Sequence, residues 1–395
     1  MTPVTACLPV DADTATLVGR VWMAGAVNGP CVVSVEGGEI YDLTHIVPTL
    51  SGLLNQHDPV RLVREARDKE RLGSVEEFLR GRHGDPEQNH LLAPSDLQSI
   101  KACGVTFVDS MLERVVEEKA RGNPARADEV RNFIMNRLGG ELSAVIPGSD
   151  AARTLKDYLV AEGLWSQYLE VGLGPDAEVF TKAQPMSAIG CGAEIGLHPS
   201  SEWNNPEPEL VLAVNNRGII IGATLGNDVN LRDIEGRSAL LLGRAKDNNG
   251  SCALGPFIRL IDADFNLDIL RKLEIHLHIE GEDGFTLDAR SNMSGISRDI
   301  EDLVRQVYGA HHQYPDGFML FTGTHYSPTE DREEKGSGFT HKMGDRVTVY
   351  SPQLGVLTNT VNLSTRIRPW EFGTGALMEN LGMRGYLDSE KHKQK

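Results

Sequence analysis

Three acidic residues near one predicted hairpin have the types and spacing of a metal site. Glu207 and Glu209 lie two positions apart in the run 205–214 (NPEPELVLAV), and the segment 215–218 (NNRG) then turns back into a second apolar run. This pattern predicts a β-hairpin on which both glutamates share one strand face. Asp228, just beyond the return strand, can supply a third oxygen ligand. The alternative is a solvated strand edge, with Asp228 as a turn residue.

A set of three carboxylates without histidine or cysteine indicates which ions are suitable. Two ionised glutamates that face inward repel each other and lose their hydration, unless a hard cation lies between them. Oxygen ligands of this kind suit Mg²⁺, with Mn²⁺ and Ca²⁺ as alternatives, rather than zinc.

The composition excludes several classes of partner. Acidic residues outnumber basic ones by 56 to 39, and the formal charge is −17, which disfavours nucleic acid and anionic membrane surfaces. An anionic substrate would need a local cation or metal. No apolar run approaches the ~20 residues that span a bilayer, and five cysteines without a CxxC pattern are typical of a reducing compartment. We therefore expect a cytoplasmic protein.

The elements that must position these residues fall into three segments. A chain of 395 residues predicts two or three domains. Apolar positions at helical spacing occur in 110–121, and β-rich runs follow Gly172. We predict a small N-terminal α/β domain over 1–90, a helical lid and connecting region over 91–172, and a catalytic domain over 173–395.

The order of the motifs resembles the fumarylacetoacetate hydrolase family. Its pattern is Glu-x-Glu, then Asn-Asp-x-x-x-Arg-Asp, then a lysine that precedes Cys-x-x-Gly-Pro. The counterparts in this sequence are Glu207 and Glu209, Asn227-Asp228 with Arg232-Asp233, Lys246, and the run 252–256 (CALGP). Further matches, including Phe180-Thr181-Lys182 and Thr322-Gly323-Thr324, extend the resemblance from about residue 90 to 362.

The resemblance implies a fold and an assembly. The expected class is α+β, with a mixed β-roll catalytic domain of the fumarylacetoacetate hydrolase type and an α/β N-terminal domain. The expected assembly is a homodimer or homotetramer. The family's substrates are mostly 2-oxo or 2,4-dioxo acids, so the expected partner is a small 2-oxo acid.

The resemblance also implies roles for single residues. Glu207, Glu209 and Asp228 would bind the metal. Thr324 would hold the substrate carboxylate, and the other predicted substrate-binding residues are Arg232, Lys182 and Asn249. Lys246 would act as a base or as partner of an enolate, and burial near a metal is expected to lower its pKa.

Departures from the family pattern indicate the reaction. Hydrolytic members carry Asn-Tyr-x-x-His-x-x-Glu on a lid helix, whereas this sequence reads TFVDSMLE over 106–113. Glu113 remains, but Ser110 replaces the histidine, and serine has no group that titrates near neutrality to activate water. We therefore predict a dehydratase with Lys246, Glu113 and Ser110 as catalytic residues.

Two longer runs, 165–182 and 226–260, resemble a narrower branch of the family, the 2-keto-3-deoxypentonate dehydratases that act on xylonate or arabinonate derivatives. The product would then be 2,5-dioxopentanoate, also called α-ketoglutarate semialdehyde. The alternative is a hydrolase that cleaves a C–C bond of a 2,4-dioxo acid of the acylpyruvate type. A third hypothesis is a non-catalytic binder of 2-oxo acids.

Overall fold

The computed structural model describes residues 7–121, 123, 127, 145–161, 163, 165–332 and 338–387. Sixteen strands lie within these residues. They are β1 Leu17–Met23, β2 Gly29–Glu36, β3 Glu39–Asp42, β4 Arg71–Ser74, β5 His90–Leu92, β6 Ser99–Gly104, β7 Glu178–Ala183, β8 Glu194–Leu197, β9 Pro208–Val214, β10 Ile220–Asp228, β11 Cys252–Leu260, β12 Glu274–Glu280, β13 Thr286–Asn292, β14 Phe318–Phe321, β15 Arg346–Ser351 and β16 Gly355–Leu363.

The helices of the same residues are mostly short. They are α1 Leu50–Leu54, α2 Pro59–Glu65, α3 Val75–Arg80, α4 Val108–Ala120, α5 Asp150–Ala161, α6 Gln167–Leu173, α7 Arg232–Glu235, α8 Leu242–Lys246, α9 Leu267–Leu270, α10 Ile300–Val307 and α11 Thr374–Met383, with 3₁₀ turns at Ala239–Leu241 and Met293–Gly295. Within the described ranges, none of these helices has the length and apolar character needed to cross a bilayer.

The strands form two sheets. The larger sheet has the order β4-β3-β2-β1-β11-β10-β9-β14-β6-β7, and β5 pairs with β1. Its neighbours are antiparallel except β14 and β6, which are parallel. The smaller sheet has the order β13-β12-β15-β16-β8, in which only β16 and β8 are parallel. This mixed, sheet-dominated architecture confirms the predicted α+β class.

The N-terminal strands continue the sheet that carries the acidic hairpin. Leu17 of β1 pairs with Arg259 of β11, and β11 in turn pairs with β10. Strands from all three predicted segments, 1–90, 91–172 and 173–395, therefore lie in one sheet. The domain boundaries themselves stay a prediction.

The core lies on both faces of the large sheet. Every residue of β9 is buried, and side chains alternate between faces along a strand. Leu210 and Leu212 belong to an apolar cluster that includes Leu277 and other residues of the smaller sheet. Val211 belongs to a second cluster that includes Leu53 of α1. With both faces covered, the hairpin is a rigid base for charged side chains at its open end.

A third apolar cluster positions helix α4. Met111 and Val115 of α4 pack with Leu169 and Leu173 of α6. Because side chains at this spacing occupy one stripe of a helix, the polar residues of α4 on a neighbouring stripe can face the sheet. This packing holds α4 over the end of the hairpin.

Candidate active site

The two glutamates and the aspartate meet where β9 begins and β10 ends. Glu209 lies opposite Gly226 in the antiparallel pair, and the Asp228 backbone N–H donates to the Glu207 carbonyl at 2.9 Å. One carboxylate oxygen from each of the three acids lies within 4.8 Å of the others, and each residue is 2 % exposed. The predicted hairpin is confirmed, and the structure brings the predicted ligands together.

The donor set fits a hard divalent cation. Burial, and then the charges of Asp228 and Glu207, raise the pKa of Glu209 well above its usual range, because like charges are held together away from water. The ligand atoms are all carboxylate oxygens, and no histidine or cysteine joins this cluster among the residues that the structure describes. Such donors favour Mg²⁺ or Ca²⁺ over zinc.

Two buried lysines contact the acidic triad of Glu207, Glu209 and Asp228. Lys246, at the end of α8, places Nζ 2.5 Å from Glu207 Oε2 and 3.2 Å from Asp228 Oδ2. Lys182, in β7, places Nζ 2.8 Å from Asp228 Oδ1 and also donates to the Lys246 carbonyl oxygen. Burial lowers the pKa of Lys246, but Asp228 and Glu207 outweigh burial and raise the pKa above its ordinary value. The lowering expected for Lys246 beside a bound metal stays a prediction.

A buried arginine of α4 closes another side of the triad. Arg114 donates to Glu207, and its Nη1 lies 2.6 Å from Glu117 Oε2 and 3.0 Å from Glu235 Oε2. Behind it, Arg232 Nε lies 3.0 Å from Glu117 Oε1. Burial alone lowers the pKa of Arg114, but the three surrounding carboxylates raise it well above its ordinary value. These alternating charges tie α4 and α7 to the triad.

Besides Glu235, the carboxyl group of Glu178 lies at the site outside the triad. Glu178 begins β7, and alternation along the strand places it on the same face as Phe180 and Lys182. Burial, followed by the charge of nearby Glu235, raises the pKa of Glu178 to about 7. A carboxyl group with this pKa exists in both protonation states at neutral pH, which suits general acid–base catalysis.

These groups surround a small cavity of about 20 Å³, roughly the space of one water molecule. The described residues that line it are Cys103, Gly104, Val105, Ser110, Arg114, Glu178, Phe180, Glu207, Glu209, Asp228, Glu235, Lys246, Gly323 and Thr324. No histidine is among them. Because a five-carbon acid is much larger than this space, its entry requires lining side chains or α4 to move.

Ser110 and Thr324, both predicted at the site, border this cavity. The buried Ser110 hydroxyl donates to the Phe107 carbonyl at 3.0 Å. The Thr324 hydroxyl lies 2.9 Å from the Tyr326 carbonyl and 3.2 Å from the Pro208 carbonyl. Both hydroxyls are therefore engaged with backbone oxygens, and their roles toward substrate stay predictions.

Four other predicted site residues do not line this cavity. Lys182 and Arg232 lie one layer behind the cavity. Lys182 pairs with Asp228, which lines the cavity, and Arg232 pairs with Glu117, which supports the lining residue Arg114. Glu113 is half-buried on α4 and is absent from the described lining. Asn249 donates to two backbone carbonyls of the segment 364–368 and lines a different cavity. The catalytic and substrate-binding roles of these four residues stay predictions.

Sequence reasoning missed Arg114, Glu117 and Glu178 as site residues. A signal was present for each. Arg114 and Glu117 follow Ser110 at the four- and seven-residue spacing of one helix face. Glu178 precedes Lys182 at even spacing in a predicted strand, so the two share a face.

Comparison with known proteins places this site in a family context. Residues 165–362, half of the chain, match the family model described as fumarylacetoacetate (FAA) hydrolase C-terminal. A probable 2-keto-3-deoxyxylonate dehydratase of Haloferax volcanii is 27 % identical over 295 residues, which cover 69 % of this chain and 98 % of that protein. The 2-dehydro-3-deoxy-D-arabinonate dehydratase of Saccharolobus solfataricus is 32 % identical over 190 residues, 48 % of this chain and 60 % of that protein.

The fold has a counterpart among solved structures. A structure of 2-keto-3-deoxy-D-arabinonate dehydratase complexed with magnesium and 2,5-dioxopentanoate superposes with a TM-score of 0.59 at 22 % identity, covering 88 % of this chain and 99 % of that one. At this identity the likeness concerns the fold. The family model, by contrast, spans α6, the acidic hairpin, both lysines and the strands around them. This chain therefore belongs to the fumarylacetoacetate hydrolase family.

Proposed function

We propose that the protein is a Mg²⁺-dependent hydro-lyase that dehydrates a 2-keto-3-deoxypentonate to 2,5-dioxopentanoate. The observation that carries this proposal is a buried triad of carboxylates beside a separate carboxyl group, Glu178, whose pKa is about 7. The two relatives named above are described as dehydratases of this substrate class. The magnesium and 2,5-dioxopentanoate in the structural counterpart support the choice of ion and product.

Each residue of the site has a separate role in the proposed dehydration. Glu207, Glu209 and Asp228 would hold the ion, which supplies Lewis acidity toward a 2-oxo acid. Glu178, in its ionised form, takes a proton from C3 of the substrate. The charged Lys246 ammonium stabilises the negative charge that then develops on the substrate. This assignment uses Lys246 as an electrostatic partner, one of the two roles expected of it.

The same carboxyl group completes the dehydration. Once protonated, Glu178 gives a proton to the hydroxyl that leaves C4, and the two together form water. The resulting unsaturated 2-oxo acid then loses a proton from C5 and gains one at C3, which gives an enol. The enol loses its hydroxyl proton and gains a proton at C4, which yields the aldehyde of 2,5-dioxopentanoate. No oxidant or reductant is needed, because only protons and water are exchanged.

The hydrolase alternative lacks the histidine that hydrolytic members of the family carry on the lid helix. Ser110 stands where the hydrolytic members have histidine, its hydroxyl donates to a carbonyl, and no histidine lines the cavity within the described residues. We therefore favour dehydration over cleavage of a 2,4-dioxo acid. We further propose a cytoplasmic homodimer or homotetramer with domains near 1–90, 91–172 and 173–395.

The test is an assay of the purified protein with 2-keto-3-deoxy-D-xylonate and its L-enantiomer in Mg²⁺. A coupled aldehyde dehydrogenase reports 2,5-dioxopentanoate. We expect turnover of at least one enantiomer, its loss in EDTA, and its loss in Asp228→Asn. The matched control is Asp157→Asn, since Asp157 is exposed on α5, and this variant should retain wild-type turnover.

Two outcomes would contradict the proposal. Release of pyruvate from a 2,4-dioxo acid, together with silence on both pentonates, would establish the hydrolase. Pentonate turnover that is indifferent to EDTA and to Asp228→Asn would remove the triad from the mechanism.

A further inference from the structure

A second and much larger cavity lies apart from the acidic triad. Its volume is about 760 Å³, within the range of small-molecule sites. It lies between β1, the segment 81–93, the segment 186–194 and the C-terminal segment 367–372. It shares no lining residue with the triad cavity among the described residues. We call it the Trp22 cavity, after a residue of β1 in its wall.

Aromatic side chains line part of the wall of the Trp22 cavity. Trp22 packs edge-on against Phe372 with ring centroids 5.2 Å apart and stacks with His90 at 6.2 Å. Trp370 lies at the rim and is 46 % exposed. The Trp22 indole N–H already donates to the Pro86 carbonyl, and that of Trp370 to the Phe372 carbonyl. The rings therefore offer apolar faces, which suit a flat apolar body.

A buried guanidinium group in the same wall has one long ion pair with a carboxylate. Arg20 is 5 % exposed and donates to the Ser95 carbonyl at 2.5 Å, while its Nη2 has the weak acceptor Met186 Sδ at 3.6 Å. The nearest carboxylate oxygen, Asp96 Oδ2, is 3.8 Å from Arg20 Nε. That oxygen accepts from the Leu50 backbone N–H at 2.6 Å. Arg20 Nη1 also donates to the Ala93 carbonyl at 3.4 Å, so Nη2, whose acceptor is a sulfur, is the nitrogen at which an anion would add a stronger bond.

The charge around the Trp22 cavity favours an anion although the whole chain is acidic. Arg82 and Arg368 also line the cavity, and the acids that do so, Glu194 and Glu371, are exposed. The lining therefore carries three arginines against two glutamates. The only buried member of these five charges is Arg20. An anion would therefore pair with the buried Arg20 at the inner end of the cavity and not with the exposed charges at its rim.

Asn249 holds the C-terminal segment of the Trp22 cavity in place. Its amide donates at 3.1 Å to the Arg368 carbonyl and at 3.3 Å to the Ser364 carbonyl. These bonds hold the segment that carries Trp370 against the rest of the cavity. The residue that sequence analysis predicted to bind substrate therefore shapes this second cavity.

We propose that the Trp22 cavity binds a small organic monocarboxylate with a flat apolar body. The carboxylate pairs with Arg20, and the body lies between Trp22 and Trp370. A single buried guanidinium group matches one carboxylate in a bidentate pair. The aromatic wall disfavours strongly hydrated sugars or phosphates, so this ligand differs from the proposed pentonate substrate.

The test uses two probes of nearly equal shape, 1-naphthoate and the neutral 1-naphthalenemethanol. Calorimetric titrations of the full chain are made in EDTA, so that the triad cannot draw the carboxylate to a metal. We expect one naphthoate per chain, bound at least about tenfold more tightly than the alcohol. Arg20→Met should remove that preference, and the exposed control Arg217→Gln should keep it.

Two further variants keep the test decisive. If Arg20→Met does not fold, Arg20→Lys should still weaken naphthoate binding severalfold, because lysine cannot pair in bidentate fashion. Trp370→Ala should weaken both probes, and sedimentation should show an unchanged assembly. Equal affinity for the two probes, or an Arg20→Lys variant that binds naphthoate like wild type, would overturn the proposal. Failure of both probes to bind, with an assembly that dissociates in Trp370→Ala, would show that a second copy covers the cavity.

Discussion

Replacing Glu178 by glutamine should make the protein more stable and less active. A carboxyl group with a raised pKa binds its proton more tightly in the folded state, so stability falls as the pH rises from 4.5 toward 7. At about 1.36 kcal/mol per pKa unit, the ionised group costs about 3 kcal/mol above pH 7. Glutamine removes this cost. Turnover should fall by about 10²-fold or more, because the proton carrier is lost.

The assay is urea unfolding of EDTA-treated Glu178→Gln and wild type at pH 8 and pH 4.5, with turnover measured in Mg²⁺. The stabilisation should be large at pH 8 and small at pH 4.5, where wild-type Glu178 is protonated in the folded state and about half protonated in the unfolded state. The control is Glu379→Gln on the exposed face of α11, which should change neither property. A Glu178→Gln variant with the wild-type urea midpoint at pH 8 would refute the argument from burial, and wild-type turnover would refute the catalytic role.

Arg114→Gln should lower the free energy of unfolding by about 3 kcal/mol or more, because the buried carboxylates of Glu117 and Glu235 lose their partner. The exposed control Arg153→Gln should leave urea unfolding nearly unchanged. Equal effects of the two substitutions would contradict a stabilising role for the Arg114 ion pairs. Asp228→Asn should abolish the rise in thermal midpoint that Mg²⁺ gives the wild type; a calorimetric scan that retains the rise would place the ion elsewhere. Gly104→Ala puts a methyl carbon 2.1 Å from Glu178 Oε2, so the Glu178 carboxyl group must move. We expect kcat to fall at least tenfold with an unchanged circular dichroism spectrum. An unchanged kcat would argue against a catalytic role for Glu178.

The acidic hairpin could be predicted because its determinants are local. Alternation at Glu207 and Glu209, the turn residues 215–218 and the position of Asp228 all lie within one stretch of sequence. Two antiparallel strands joined by a short turn necessarily bring the start of one beside the end of the other. The ligand cluster follows from that geometry, without knowledge of the rest of the fold.

The surroundings of the hairpin could not be predicted in the same way. Leu17 pairs with Arg259 across most of the chain, and no local pattern indicates such a partner. On α4, neighbouring residues differ by about 100° around the helix axis. That rotation separates Glu113, which the family pattern favoured, from Arg114, which contacts the triad. Only the packing of Met111 and Val115 on α6 decides which of the two faces the site.

The charges around the triad explain how so acidic a chain can hold an anionic substrate. Among the described residues, ten acidic and basic side chains form the cavity and its supporting layer: Lys182, Lys246, Arg114, Arg232, Glu117, Glu178, Glu207, Glu209, Asp228 and Glu235. When all six carboxyl groups are ionised, they leave two negative charges against the four cations, and a divalent ion neutralises these two charges. A substrate carboxylate then adds one negative charge in a poorly solvated space. The proton that ionised Glu178 takes from C3 restores neutrality, so the added negative charge of the substrate should raise the pKa of this group and help it to retain that proton.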